Sequence, residues 1–241
     1  MLNKLLYSLI GLALAPFCWV FGCVVWALLS GLKGDHSAWM TPGGWAFVAG
    51  FVLEVVLYLT LPRPMRTYVL AHEMSHALWG VVLGARVHGM QIGRDSGRVS
   101  LSHTNFLITL APYFFPFYTV LIIAVYQVAG LFIDLRPYEI FWMGAVGFSW
   151  AFHVTFTIST LMTHQSDIEA YGGLFSYVLI VMLNLAGVAL WIVGVSSPTM
   201  MDCGALTAQY SRETWVWISE NMVSAAKIIY SAIKGQDGSF N

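Results

Sequence analysis

The chain has 241 residues, of which 58% are hydrophobic and only 10% charged, and its net charge is −1. A soluble domain carries about 25% charged residues, so this composition excludes a water-soluble globular protein. The near-zero net charge excludes the basic face of a nucleic-acid-binding protein, and three cysteines make no disulfide framework.

The first apolar run, about residues 5–29, follows Lys4 and contains Ala13-Leu14-Ala15, a pattern similar to a signal-peptide cleavage site. It continues through Phe17, Trp19, Val24 and Leu28, too long for a signal sequence, and reads as an uncleaved first membrane span. Cys18 and Cys23 lie within it and read as buried thiols. A second span, 45–61, carries Glu54, expected to pair with another helix. Pro62, Arg63 and Pro64 end it, because prolines stop helices and arginine prefers the membrane interface.

The third apolar segment, 67–84, contains His72-Glu73-Met74-Ser75-His76, an H-E-x-x-H pattern. Residues four apart share one face of a helix, so both imidazoles reach one metal ion. Glu73, offset by one residue, addresses a water at that ion. Zinc lowers the pKa of such a water to about 7, and the glutamate takes its proton and passes it to a leaving amine. A charged carboxylate at the bilayer centre costs about 2.5–3.5 kcal/mol. Groups of that cost persist where they serve a site; the plainer reading is a polar seam between helices.

The most polar stretch, 85–104, follows. Val87, Met90, Ile92, Val99 and Leu101 flank Gly93-Arg94-Asp95-Ser96-Gly97, and two short extended segments around that turn make a β-hairpin. Its strand edge either accepts an extended peptide or caps the pocket. A fourth span, 105–131, opens with Asn105. Asp134, Arg136 and Pro137 separate it from a fifth, 138–162, in which His153 is expected to bond a neighbouring carbonyl.

A tetrahedral zinc site takes a third protein ligand and leaves the fourth position to water or substrate. Asp167, at the join of the fifth and sixth spans, is the first candidate. His164 is the alternative, as a ligand or as the group orienting one; His153, Glu169, Glu54 and Asp134 are rivals. The sixth span, 172–195, carries Asn184. Asn184 and Asn105 are candidates to contact substrate or donate to a developing oxyanion, against the plainer reading that they bond neighbouring helices. Cys203 reads as lying alone in a loop. Residues 211–234 form an amphipathic helix, with Trp215, Ile218, Met222, Ala225 and Ile229 on one face and Glu213, Glu220 and Lys227 opposite, as in a helix lying in the membrane interface. Residues 235–241 read as a frayed tail.

The apolar H-E-x-x-H helix, the Gly-rich hairpin, the further spans and an aspartate near Gly172-Gly173 together resemble the site-2 protease family of intramembrane zinc metalloproteases, over about residues 65–175. The resemblance implies peptide-bond hydrolysis in or beside the membrane, with His72 and His76 as zinc ligands, Glu73 as base and an aspartate third ligand that maps onto Asp167. Two features depart from the family pattern. Ile168 follows Asp167 where the family has Asp-Gly, and its Gly-Pro-x-x-Asn element has a loose echo in Ala111-Pro112-Tyr113-Phe114. The chain therefore reads as a distant branch.

The expected architecture is an all-α membrane protein of six spans with a small β-hairpin and a C-terminal interfacial helix. It divides into N-terminal spans (1–62), a metalloprotease-like core (63–175) and a last span with the amphipathic helix (176–241). With one span between them, the third and fifth run parallel, which brings Asp167 to the His72 and His76 end. Six spans also place seven Lys and Arg residues on the face of the termini and four on the face of the site. The positive-inside tendency then points the site outward, whereas the family resemblance implies the opposite. The expected function is an intramembrane zinc metallopeptidase acting on membrane proteins or peptides. A membrane zinc amidase or esterase acting on a lipid or small molecule, and a non-enzyme with a polar helix seam, are the alternatives.

Overall fold

A computed structural model describes residues 2–31 and 41–237; Lys33 and tail residues 238–241 lie outside them. The chain is almost wholly helical: α1 (Leu2–Gly31), α2 (Pro42–Thr60), α3 (Met65–Val82), the strands β1 (Val87–Ile92) and β2 (Gly97–Leu101), α4 (Phe106–Phe114), α5 (Phe117–Ala129), α6 (Glu139–Leu161), α7 (Ser166–Tyr171), α8 (Gly173–Val195) and α9 (Met200–Asp237). Local chemistry explains several boundaries. Thr41 caps α2 by accepting from the Gly44 N–H, with Pro42 in the first turn where its missing N–H costs nothing. The expected fourth span is broken into α4 and α5, bent by 79°, because Pro116 cannot donate to the helical ladder.

Four single helices, α1, α2, α6 and α8, are long and apolar enough to cross a membrane, and the bent pair α4–α5 makes a fifth if it counts as one span. Trp19, Leu59, Val125, Phe141 and Leu190 face outward on these segments. That much exposed apolar surface suits lipid and not water.

Two close helix pairs organise the bundle. Along α2 and α6, Gly43 lies by Met143, Phe47 by Gly147, Glu54 by Thr155 and Arg63 by Ser159, so the two helices run in the same direction. Backbones touch here: a Cβ on Gly50 would overlap the Gly144 carbonyl, the small-residue packing that membrane helices favour. Along α1 and α8, Tyr7 stacks near Phe175, Cys18 donates to the Val178 carbonyl, and Val20, Val24 and Leu28 pack with Ala189 and Ile192, again in parallel.

These directions correct the six-span expectation. Since α2 and α6 run the same way, the segment between them makes one net crossing, which α4–α5 supplies. The α3 helix therefore enters and leaves at the same end of the bundle. Arg63, just before it, reaches Ser159 near the end of α6, and Phe106, just after the hairpin, packs on Tyr171 and Phe175 beside α7. The α3 segment carries Arg66, His72, Glu73 and His76, which kept it below the apolarity of a crossing helix.

The expected hairpin is present, with Val87 opposite Leu101 and Ile92 opposite Gly97 and an irregularity between Val87 and Gly89. It packs on α3 at the same end of the bundle. The amphipathic helix also exists but starts earlier, at Met200. Cys203, expected in a loop, is buried on α9 against Val20, Val24 and Leu28. Trp215 reaches Phe17, and from Trp217 to Tyr230 nearly every side chain is exposed.

A candidate metal centre

His72 and His76 sit one turn apart on α3, and Asp167 enters from the first turn of α7. The His72 Nε2 lies 3.3 Å from the His76 Nε2, and the Asp167 Oδ2 lies 3.5 Å and 3.6 Å from them. Among the described residues this is the cluster of His, Cys, Asp and Glu placed to share an ion. Zinc–ligand bonds of about 2.0–2.1 Å in a tetrahedron put ligand atoms about 3.3–3.4 Å apart, so the three atoms fit zinc.

The outer bonds of the ligands support the same reading. The His76 Nδ1 donates to the Ile108 carbonyl at 2.8 Å, and the His72 Nδ1 lies 3.2 Å from the Tyr68 hydroxyl. A carbonyl only accepts, so the His76 Nδ1 carries the proton and its Nε2 presents a lone pair. That lone pair faces a carboxylate oxygen and a second imidazole nitrogen at distances longer than the 2.7–2.9 Å typical of charge-assisted hydrogen bonds. A shared cation satisfies all three. The Tyr113 hydroxyl, fully buried, donates to the same Asp167 Oδ2 at 3.1 Å.

Glu73 is buried beneath the hairpin. A Cβ on Gly97, the first residue of β2, would lie 2.5 Å from the Glu73 Cγ and 2.8 Å from its Oε1. The strand can approach the carboxylate this closely only with glycine there. Outside this contact lies a cavity of about 1040 Å³ between β2, α3 and the end of α6. His72, Glu73, His76 and Asp167 line its floor, with Ser159 and Thr160 among its walls.

The other candidates are placed elsewhere. His164 is exposed and paired with Glu169 at 2.8 Å, clear of the cluster. Asn105 caps α4, its carboxamide oxygen accepting from the Ile108 N–H. Asn184 gives both hydrogens of its Nδ2 to the carbonyls of Tyr113 and Ile180, which leaves none for an oxyanion. The Tyr113 carbonyl needs this partner because α4 ends before a helical N–H can reach it. Glu54 accepts from the Thr155 hydroxyl, the expected helix pairing. Asp134 is bound by Arg136 in an exposed connection. The His153 Nε2 is buried with no hydrogen-bond partner, and the ring interacts with the Asn184 side chain.

Sequence reading had not singled out Tyr68, Tyr113 or Gly97. Tyr68 was discoverable, since it precedes His72 by one helical turn and so shares its face. Tyr113 and Gly97 carry no local signal of contact with residues tens of positions away.

Comparison with protein-family models, curated proteins and solved structures found no match.

Proposed function

We propose that this chain is an intramembrane zinc metallopeptidase that hydrolyses peptide bonds of membrane-protein segments, in keeping with its resemblance to the site-2 proteases. The observation that carries this reading is the triangle of His72, His76 and Asp167 ligand atoms with Glu73 beside it, open to one large cavity. His72, His76 and Asp167 would hold the metal. Zinc bound there supplies a Lewis acid that makes water nucleophilic near neutral pH.

The protein's own groups do the rest. Glu73 takes the proton of the attacking water and returns it to the leaving amine nitrogen. Tyr113 and Tyr68 hold Asp167 and His72 in place. The β2 strand lines the cavity while β1 covers its other edge, so an extended peptide has a backbone edge to pair with beside Glu73. Serine and threonine hydroxyls in the walls suit the polar backbone of a peptide.

The parallel course of α2 and α6 also revises the orientation. Among the described residues outside α9, Lys4, Arg63, Arg66, Arg86, Arg94 and Arg98 belong to the end that carries the site, and Arg136 to the connection at the opposite end. Six against one, α9 aside, favours the site end as cytoplasmic.

Zinc analysis and one variant test the function. Purified, unchelated protein is expected to hold about one zinc per chain by this coordination chemistry. Glu73→Gln is expected to keep that zinc and to lose cleavage of a membrane-peptide substrate by about 10²–10⁴-fold, the scale of general-base catalysis. Retained cleavage in Glu73→Gln, or zinc-free wild-type protein, overturns the reading.

A further inference from the structure

We infer that Pro112 is a positioning residue for the metal site: lacking an N–H, it frees the Ile108 carbonyl to hold His76. In an α-helix the carbonyl of residue i accepts from the N–H of residue i+4. For Ile108 that position is 112, inside α4, and it is proline. Proline brings no donor, and its ring presses on the carbonyl four residues earlier and turns it outward. Ile108 is 1% exposed, so water cannot take the vacated acceptor. The His76 Nδ1 takes it instead, at 2.8 Å.

The consequence reaches the metal through the two nitrogens of one ring. A carbonyl oxygen can only accept, so the bond places the hydrogen on Nδ1 and leaves the Nε2 lone pair free. Nε2 is the atom that faces His72 and Asp167. The bond also fixes the ring plane, since α3 and α4 pack directly on each other here. Pro112 acts by withholding a hydrogen bond within its own helix. The inference rests on the zinc reading above but asks something separate, namely what aims the second histidine.

Pro112→Ala supplies the missing N–H and lets α4 close its own ladder on Ile108. Zinc affinity, measured by competition with a chelating dye, is expected to fall about 10–100-fold, the usual effect of losing an outer hydrogen bond to a metal-binding histidine. The visible absorption of the cobalt-substituted protein is expected to shift as the ring loses its orientation. A merely structural proline gives the opposite pattern, because alanine favours a helix interior: thermal stability rises and affinity is unchanged. Lactic acid at position 112, the hydroxy counterpart of alanine, has no N–H and is expected to restore wild-type affinity and the cobalt spectrum. Wild-type affinity in Pro112→Ala, or no recovery with lactic acid, overturns the inference while the zinc reading stands. Zinc-free wild-type protein removes both. If Pro112→Ala does not fold, ¹⁵N shifts of His76 in the unaltered apo-protein decide, with Nδ1–H expected and Nε2–H fatal to the proposal.

Discussion

At the scale of single residues, the site depends as much on what is missing as on what is present. Gly97 contributes no side chain, and that is its role: the strand lies against Glu73 where a methyl group would meet the Cγ at 2.5 Å. Gly97→Ala forces the hairpin outward or swings the carboxylate away from the ligands. Misplacement of a reacting group by about 1 Å costs about 10²-fold in rate, so cleavage is expected to fall on that order. Zinc content is expected to stay at the wild-type level, because His72, His76 and Asp167 do not touch Gly97. A Gly97→Ala protein with unimpaired turnover shows that the contact is not needed to hold the base. The three ligands lean on partners from different parts of the chain: Tyr68 from the same helix, the Ile108 carbonyl and Tyr113 from α4. Support from several directions fixes a site more firmly than its ligands alone.

Among the elements, the parallel pair α2 and α6 sets the frame. Their backbones touch at Gly50–Gly144 and Phe47–Gly147, and Glu54 is tied to Thr155 in the same seam. The Cβ of an alanine at Gly50 would sit 2.0 Å from the Gly144 carbonyl oxygen, a backbone atom with little room to yield. Gly50→Ala is expected to destabilise the protein by about 1–3 kcal/mol, the cost of overpacking. The measurement is thermal unfolding in detergent, and an unchanged midpoint removes the seam from the account of stability. The shorter elements depend on that frame. Helix α3 packs on the half-helix α4 and on both strands of the hairpin. Proline acts twice here, ending α4 at Pro116 and leaving the Ile108 carbonyl without its helical donor at Pro112. The Tyr113 carbonyl left over at the break is taken by Asn184 of α8, which stitches the broken span to the rest.

For the whole molecule, the direction of α2 and α6 decides which aqueous compartment the site faces. With α4–α5 counted as one crossing, the amino terminus, the hairpin and Asp167 lie at one end, and the connection 130–138 at the other. Cysteine labelling in intact cells tests this in a background lacking Cys18, Cys23 and Cys203. An impermeant maleimide is expected to label Phe132→Cys, which is 81% exposed in the native chain, and to spare Asp95→Cys in the hairpin turn until the membrane is opened. The reverse pattern places the site outside and defeats the charge argument.

The sequence by itself determined the membrane environment, the one-turn spacing of His72 and His76, and the hairpin, because each follows from composition or from the period of a local element. Asp167 was legible as a candidate since few polar groups compete for an ion in so apolar a chain. Tertiary packing alone decided that Asp167 meets the histidines while His164 turns to Glu169, that Asn184 clamps a broken helix, and that α2 and α6 run in parallel. These outcomes depend on the relative direction of helices far apart in the chain, which side-chain fit at contacts such as Gly50–Gly144 selects and local periodicity does not encode.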